Sequence, residues 1–220
     1  MQVIKGCGLL ILAVWLGLMA GCDRSGSEPD QASSSSSSTA PDYVAPDPGY
    51  LKSAVFELSE QGQLANWTLL QHSSDTSYSV TVDDGVLSLT RTGDEPWGKV
   101  RQLLKGDAVK PLLGKTLKFS ADIKADFTSQ WGEAMEPPAM TVLVKGVRVG
   151  APAMLGKSII VSKKTPVSDL SMGVSWHRYS VEFTLPTAAE VRGIDLELSF
   201  LMTEGGTMYV RGPALIEASE

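Results

Sequence analysis

Cysteine and histidine each occur only twice in 220 residues, and Lys plus Arg (19) are outnumbered by Asp plus Glu (25). So few thiols and imidazoles exclude most protein metal sites, and nothing in the sequence calls for a cofactor. A formal net charge of −6 excludes a broad basic surface for nucleic acid. There is no Gly-x-Ser-x-Gly elbow and no His-rich metal pattern, so nucleophilic triads lack support. Helical periodicity is also missing beyond the N-terminus. Residues 103–113 come closest, but Gly106, Pro111 and Gly114 reduce them to a loop with at most one turn.

What is present begins with a leader. Lys5 is the only charge before Asp23, and an apolar run follows from Gly6 to Leu18. That run is short of the ~20 apolar residues that span a bilayer, and small residues follow it, as in a secretory signal. Met19-Ala20-Gly21-Cys22 resembles the bacterial lipobox, with Met19 where Leu is usual. The resemblance implies cleavage after residue 21 and diacylglycerol on Cys22, giving a membrane partner through a lipid anchor in the bacterial cell envelope. The alternative is an ordinary secretory signal that leaves Cys22 free. Cys7 departs with the leader, so no internal disulfide is expected. Asp23 resembles an inner-membrane retention signal, but that rule varies between lineages, so inner and outer membrane both stay open.

Residues 22–49 are expected to form a flexible tether. They hold six consecutive serines (Ser33 to Ser38), four prolines, five acids and a single base, and they are too polar to repay ordering. The competing expectation is an irregular arm packed on the domain through Tyr43 and Tyr50.

From residue 50 onward, period-two alternation dominates. Leu117, Phe119, Ala121, Ile123, Ala125 and Phe127 form one set; Tyr179, Val181, Phe183 and Leu185 a second; Ile194, Leu196, Leu198, Phe200 and Met202 a third. Alternation puts one face of each strand in a core and the other in water. Asp84-Gly85 between two such runs predicts a hairpin. Residues 50–220 are therefore expected to be an all-β, antiparallel two-sheet jelly-roll sandwich.

The order of features also matters: Phe56-Glu57, Asn66-Trp67, Val82 to Leu89, Trp97 to Gln102, Leu113 to Leu117, Trp176-His177-Arg178-Tyr179, and a closing strand Thr207 to Ile216. Over residues 53–217 this looks like the galactose-binding-like β-sandwich, especially carbohydrate-binding modules found beside xylanases and glucanases. The resemblance implies a non-catalytic glycan-binding role. Such modules often hold calcium between an early acid and one in the final strand. Glu57 fits the first, but Arg211-Gly212 stands at the second, so no metal is expected there.

Candidate ligand residues follow from aromatics in polar loops. Trp67 and Trp176 occupy strand positions expected to be core. Trp97 follows Asp94-Glu95-Pro96, and Trp131 lies in a loop with two prolines. These two rings either stack on sugar faces or plug the ends of the sandwich. Lys99, Arg101 and Gln102 alternate with Val100 and Leu103 after Trp97, and are expected to line the same face. The candidate ligand-binding residues are Trp97, Trp131, Arg101 and Gln102.

Two other readings remain. Asp195 and Glu197, two apart on one strand, are either a glycosidase carboxylate pair or the wet face of a strand. Glu133 and Glu136 form a second pair. An envelope protein–protein role is the other alternative, using Ser158-Ile159-Ile160-Val161 as an edge strand guarded by Lys163 and Lys164.

Overall fold

Among the described residues, ten strands pair into two antiparallel five-stranded sheets. The structure is a computed structural model, which describes residues 43–73, 76–128, 136–152, 154, 156–167 and 175–219. The first sheet has the order β1-β4-β9-β6-β7: β1 (Thr68–Gln71), β4 (Gly98–Lys105), β9 (Val191–Met202), β6 (Ala139–Arg148) and β7 (Ser158–Pro166). The second has the order β2-β3-β10-β5-β8: β2 (Tyr78–Asp83), β3 (Val86–Arg91), β10 (Gly205–Glu217), β5 (Thr116–Thr128) and β8 (His177–Thr184). Two short 3₁₀ turns, Gly106–Ala108 and Lys110–Leu112, fill the stretch read as a loop. Among the described residues no helix is long and apolar enough to cross a membrane.

The alternating sets turn inward as expected. Leu117, Phe119, Ala121, Ile123 and Ala125 of β5 face Leu196, Leu198, Phe200 and Met202 of β9 across one core, all buried. Aromatic rings join the layers: Phe200 lies 5.5 Å from Phe119, 5.5 Å from Trp67 and 6.2 Å from Phe56, between ring centroids. Trp67 is thus core, as expected. Trp176 is not. It shares strand parity with Arg178 and stands on the outer face of the second sheet, 4.2 Å from the Arg211 guanidinium carbon and 5.3 Å from Lys124 Nζ.

The predicted hairpin is β2–β3, with Val82 opposite Leu87 and Asp83 opposite Val86. Asp84 (φ 46°) and Gly85 (φ 73°) both take left-handed conformations, which the right-handed twist of the flanking strands favours. A Cβ on Gly85 would fall 2.6 Å from the Val55 side chain, so the turn needs glycine for space as well as for φ.

The compact unit starts at Tyr43, seven residues before the strand-rich region begins. The cause is a vacancy along β10. β3 pairs only with Gly206–Val210, which leaves the far half of that edge open. The segment 48–50 takes it: Leu215 N–H donates to Pro48 O (3.1 Å), and Tyr50 N–H donates to Leu215 O (2.8 Å). Tyr43 then stacks 3.9 Å from the Arg211 guanidinium, which lies between it and Trp176. Gly212 (φ 55°) makes this possible, since a Cβ there would sit 1.9 Å from the Tyr43 hydroxyl. Residues 43–49, expected to belong to the flexible tether, thus pack on the domain, with Tyr43 and the Tyr50 backbone holding them there, while residues 22–42 of that span lie outside the described residues.

Candidate functional site

The outer face of the first sheet gathers polar side chains in cross-strand rows. Registry places Arg101 opposite Ser199, and Ser199 opposite Thr141; in the next row Glu197 lies between Leu103 and Leu143. Thr141 and Ser199 hydroxyls hydrogen-bond at 2.6 Å. Glu197 is only 6% exposed. It accepts from Lys99 Nζ at 2.5 Å and from Arg101 Nη1 at 2.7 Å. Burial pushes its carboxyl up, but the hydrogen bonds and charges of Lys99 and Arg101 outweigh that and hold it below the ordinary value of 4.5.

Trp97 stands at one end of this face, just before β4. Its carbonyl accepts from the His72 backbone N–H at 3.2 Å. The His72 ring meets the indole edge-on, with centroids 5.9 Å apart, and Lys99 Nζ lies 5.8 Å from the indole centroid. His72 Nδ1 is 2.9 Å from Glu95 Oε2, and the Ser73 hydroxyl also donates to Glu95. The Ser73 hydrogen bond, together with His72, holds the Glu95 carboxyl below its usual range against some desolvation. Around Trp97 opens a pocket of about 450 Å³, walled by Pro96, Leu201, Thr203, His72, Lys99 and Glu136. A second depression of about 330 Å³ shares Lys99 and Glu136 and runs over Thr141, Ser162, Lys164 and Glu197. Together they form a groove across β4, β9, β6 and β7, with an indole at one end and paired charges along it.

The sequence-predicted residues divide as follows. Trp97 lines the groove. Arg101 is on the same face, with its guanidinium committed to Glu197. Gln102 is a correction: it points into the core with Val100 and Leu104, is 2% exposed, and its Oε1 accepts from Lys52 N–H at 3.4 Å. Strand alternation forces this, because 102 has the parity of Val100, and Leu103 takes the outward place instead. Trp131, Glu133 and Cys22 lie outside the described residues.

Asp195 and Glu197 do share a face, but each is matched to a cation: Asp195 to Lys157 at 2.7 Å, Glu197 to Lys99 and Arg101. A glycosidase acid needs a raised pKa to hold its proton near neutrality, and Glu197 is shifted the other way. Nor is Glu197 on a wet strand face, since it is buried among its partners. Glu136 is exposed and 3.5 Å from Lys164. Among the described residues no three His, Cys, Asp or Glu side chains come together as metal ligands. Reading from sequence missed His72, Leu201 and Thr203, which reach the groove from a loop and a strand end remote from Trp97.

No protein-family model and no curated protein matches the chain. Among solved structures it is similar to a family 61 carbohydrate-binding module in complex with β-1,4-galactotriose (12% identity, TM-score 0.40, covering 78% of this chain and 100% of that one). It is also similar to a family 22 xylan-binding domain (14%, TM-score 0.40, 80% and 99%). A third similar structure is a putative sugar binding protein from Bacteroides thetaiotaomicron (11%, TM-score 0.42, 78% and 92%).

Proposed function

We propose that this protein is a non-catalytic glycan-binding module, held at the bacterial envelope by a lipid on Cys22. The observation that carries the reading is the half-buried Trp97 indole, open to a pocket with Leu201 and Pro96 beside it and Lys99, Glu136 and Thr203 around it. Sugars present apolar ring faces edged by hydroxyls, and this combination of an aromatic platform with a few fixed polar groups suits them. Thr141, Ser162 and the Glu197 cluster extend the polar lining, so the groove has room for more than one sugar unit.

Isothermal titration with oligosaccharides found on a glycan array tests the proposal. Trp97→Ala is expected to weaken binding by about 2 kcal/mol, roughly 30-fold in Kd, with an unchanged thermal unfolding midpoint. An unaltered Kd would remove Trp97 from the site. Capture of an envelope protein independent of sugar would favour the assembly-factor reading instead.

Anchoring rests on the leader and the Met19-Ala20-Gly21-Cys22 run. Labelled palmitate is expected to enter the full-length product and to be lost in Cys22→Ser. Equal labelling of both would overturn the lipid attachment. Several acyl chains would make the attachment stable, whereas a single chain anchors only marginally.

A further inference from the structure

Glu197 holds two cations with one carboxylate. Its Oε1 takes Lys99 Nζ at 2.5 Å and its Oε2 takes Arg101 Nη1 at 2.7 Å, so the cluster is left with one positive charge over. Both cations also have donors to spare. An ammonium and a guanidinium each carry more N–H groups than one carboxylate oxygen can use. Among the described residues, Glu197 is the one acceptor that either head group meets. Neither cation is enclosed, since both side chains stay partly exposed.

Lys99 stands where the two halves of the groove join. It lines both the Trp97 pocket and the depression over Thr141 and Glu197, with Nζ 5.8 Å from the indole centroid. Lys163 and Lys164 line the same depression from β7. The other acids near Lys99 are engaged elsewhere. Glu136 reaches both halves but lies 3.5 Å from Lys164, and Glu95, two residues before Trp97, is taken by His72 and Ser73. A sugar ring laid on the Trp97 indole therefore has a partly exposed ammonium at its edge. A neutral hydroxyl there would accept a hydrogen bond. A carboxylate or sulfate would accept a stronger, charge-assisted one and would supply the counter-charge that the cluster lacks.

We propose that the groove selects acidic oligosaccharides, with Lys99 as the residue that sets the selectivity. A carboxylate or sulfate on the sugar seated at Trp97 meets Lys99, and Lys163 and Lys164 favour a further anionic unit along the depression. This inference rests on the glycan-binding reading of the groove and names its ligand class.

Calorimetric titration of the full-length protein with matched pairs tests it. Tetragalacturonate and tetraguluronate are each set against their carboxyl-reduced forms, and a sulfated galactan tetrasaccharide against its desulfated form. The first two pairs report a carboxylate and the third a sulfate. In at least one pair the acidic member is expected to bind with a Kd about tenfold below that of its neutral form. High salt is expected to erode that margin. Lys99→Gln is expected to shrink the ratio of the two Kd values to below about threefold. The ratio in the unaltered protein needs no variant, so it decides the matter even if Lys99→Gln fails to fold. Equal or tighter binding of the neutral members overturns the acidic selectivity and leaves the groove as a glycan site. A ratio undiminished in a folded Lys99→Gln overturns the role of Lys99. Acidic binding that is unchanged in Trp97→Ala lies outside the groove and overturns the inference. No binding by any member also overturns it, and the glycan-binding reading falls with it only if the array oligosaccharides fail in titration too.

Discussion

Phe200→Ala is expected to destabilise the domain by about 3–5 kcal/mol, the largest effect of any single truncation proposed here. Phe200 is fully buried on β9, the middle strand of the first sheet, and meets Phe119 of the second sheet and the Phe56–Trp67 pair. Removing its ring takes away burial and several edge and tilted ring contacts at once. The rigid strands on both sides cannot collapse into the space. For a domain of this size each kcal/mol corresponds to roughly 2–4 °C in Tm, so a fall of about 6–20 °C is expected. Urea denaturation followed by tryptophan fluorescence measures it. A loss below about 1 kcal/mol would mean that the two layers do not rely on this ring.

Glu197→Gln is expected to have the second largest effect, and one that depends on pH. The substitution keeps the shape of the side chain but leaves Lys99 and Arg101 without their shared carboxylate. Those cations are 22% and 28% exposed and can recover some hydration. The expected loss near pH 7 is therefore about 1–3 kcal/mol rather than the larger cost of a fully enclosed orphan charge. The Glu197 carboxyl has a lower pKa folded than its unfolded value of about 4.5. Its contribution is thus complete above that unfolded value and is lost as pH falls through the folded one. Stability curves of wild type and Glu197→Gln should be well separated near neutrality and merge in acid. Parallel curves across the whole range would contradict the ion cluster as the cause.

Strand faces were legible in the sequence because a residue's parity decides its side once a strand is flat and two-sided. The inward sets of β5 and β9 follow that rule without a break. The same rule also exposes the misreadings. Gln102 shares parity with Val100, and Trp176 shares parity with Arg178, so composition suggested the wrong face where counting gives the right one. The groove was less legible. Trp97 stands out because a large ring follows a polar turn. His72, Leu201, Thr203 and Thr141 carry no such signal, since they become neighbours only when β4 inserts beside β9 and β9 beside β6. Glu197 looks like any outward acid in its strand, and its enclosure depends on Lys99 and Arg101 of β4.

The backbone exchange between Pro48–Tyr50 and Leu215 places the segment that leads into the domain beside the end of its last strand, and the Tyr50 hydroxyl donates to Glu217 at 2.5 Å. The domain's termini are close enough for a short join, so the chain order lends itself to circular permutation, or to insertion into a host polypeptide, without disturbing either sheet. The Val149–Gly150 turn, where Gly150 has open space around it, is the natural place for new ends.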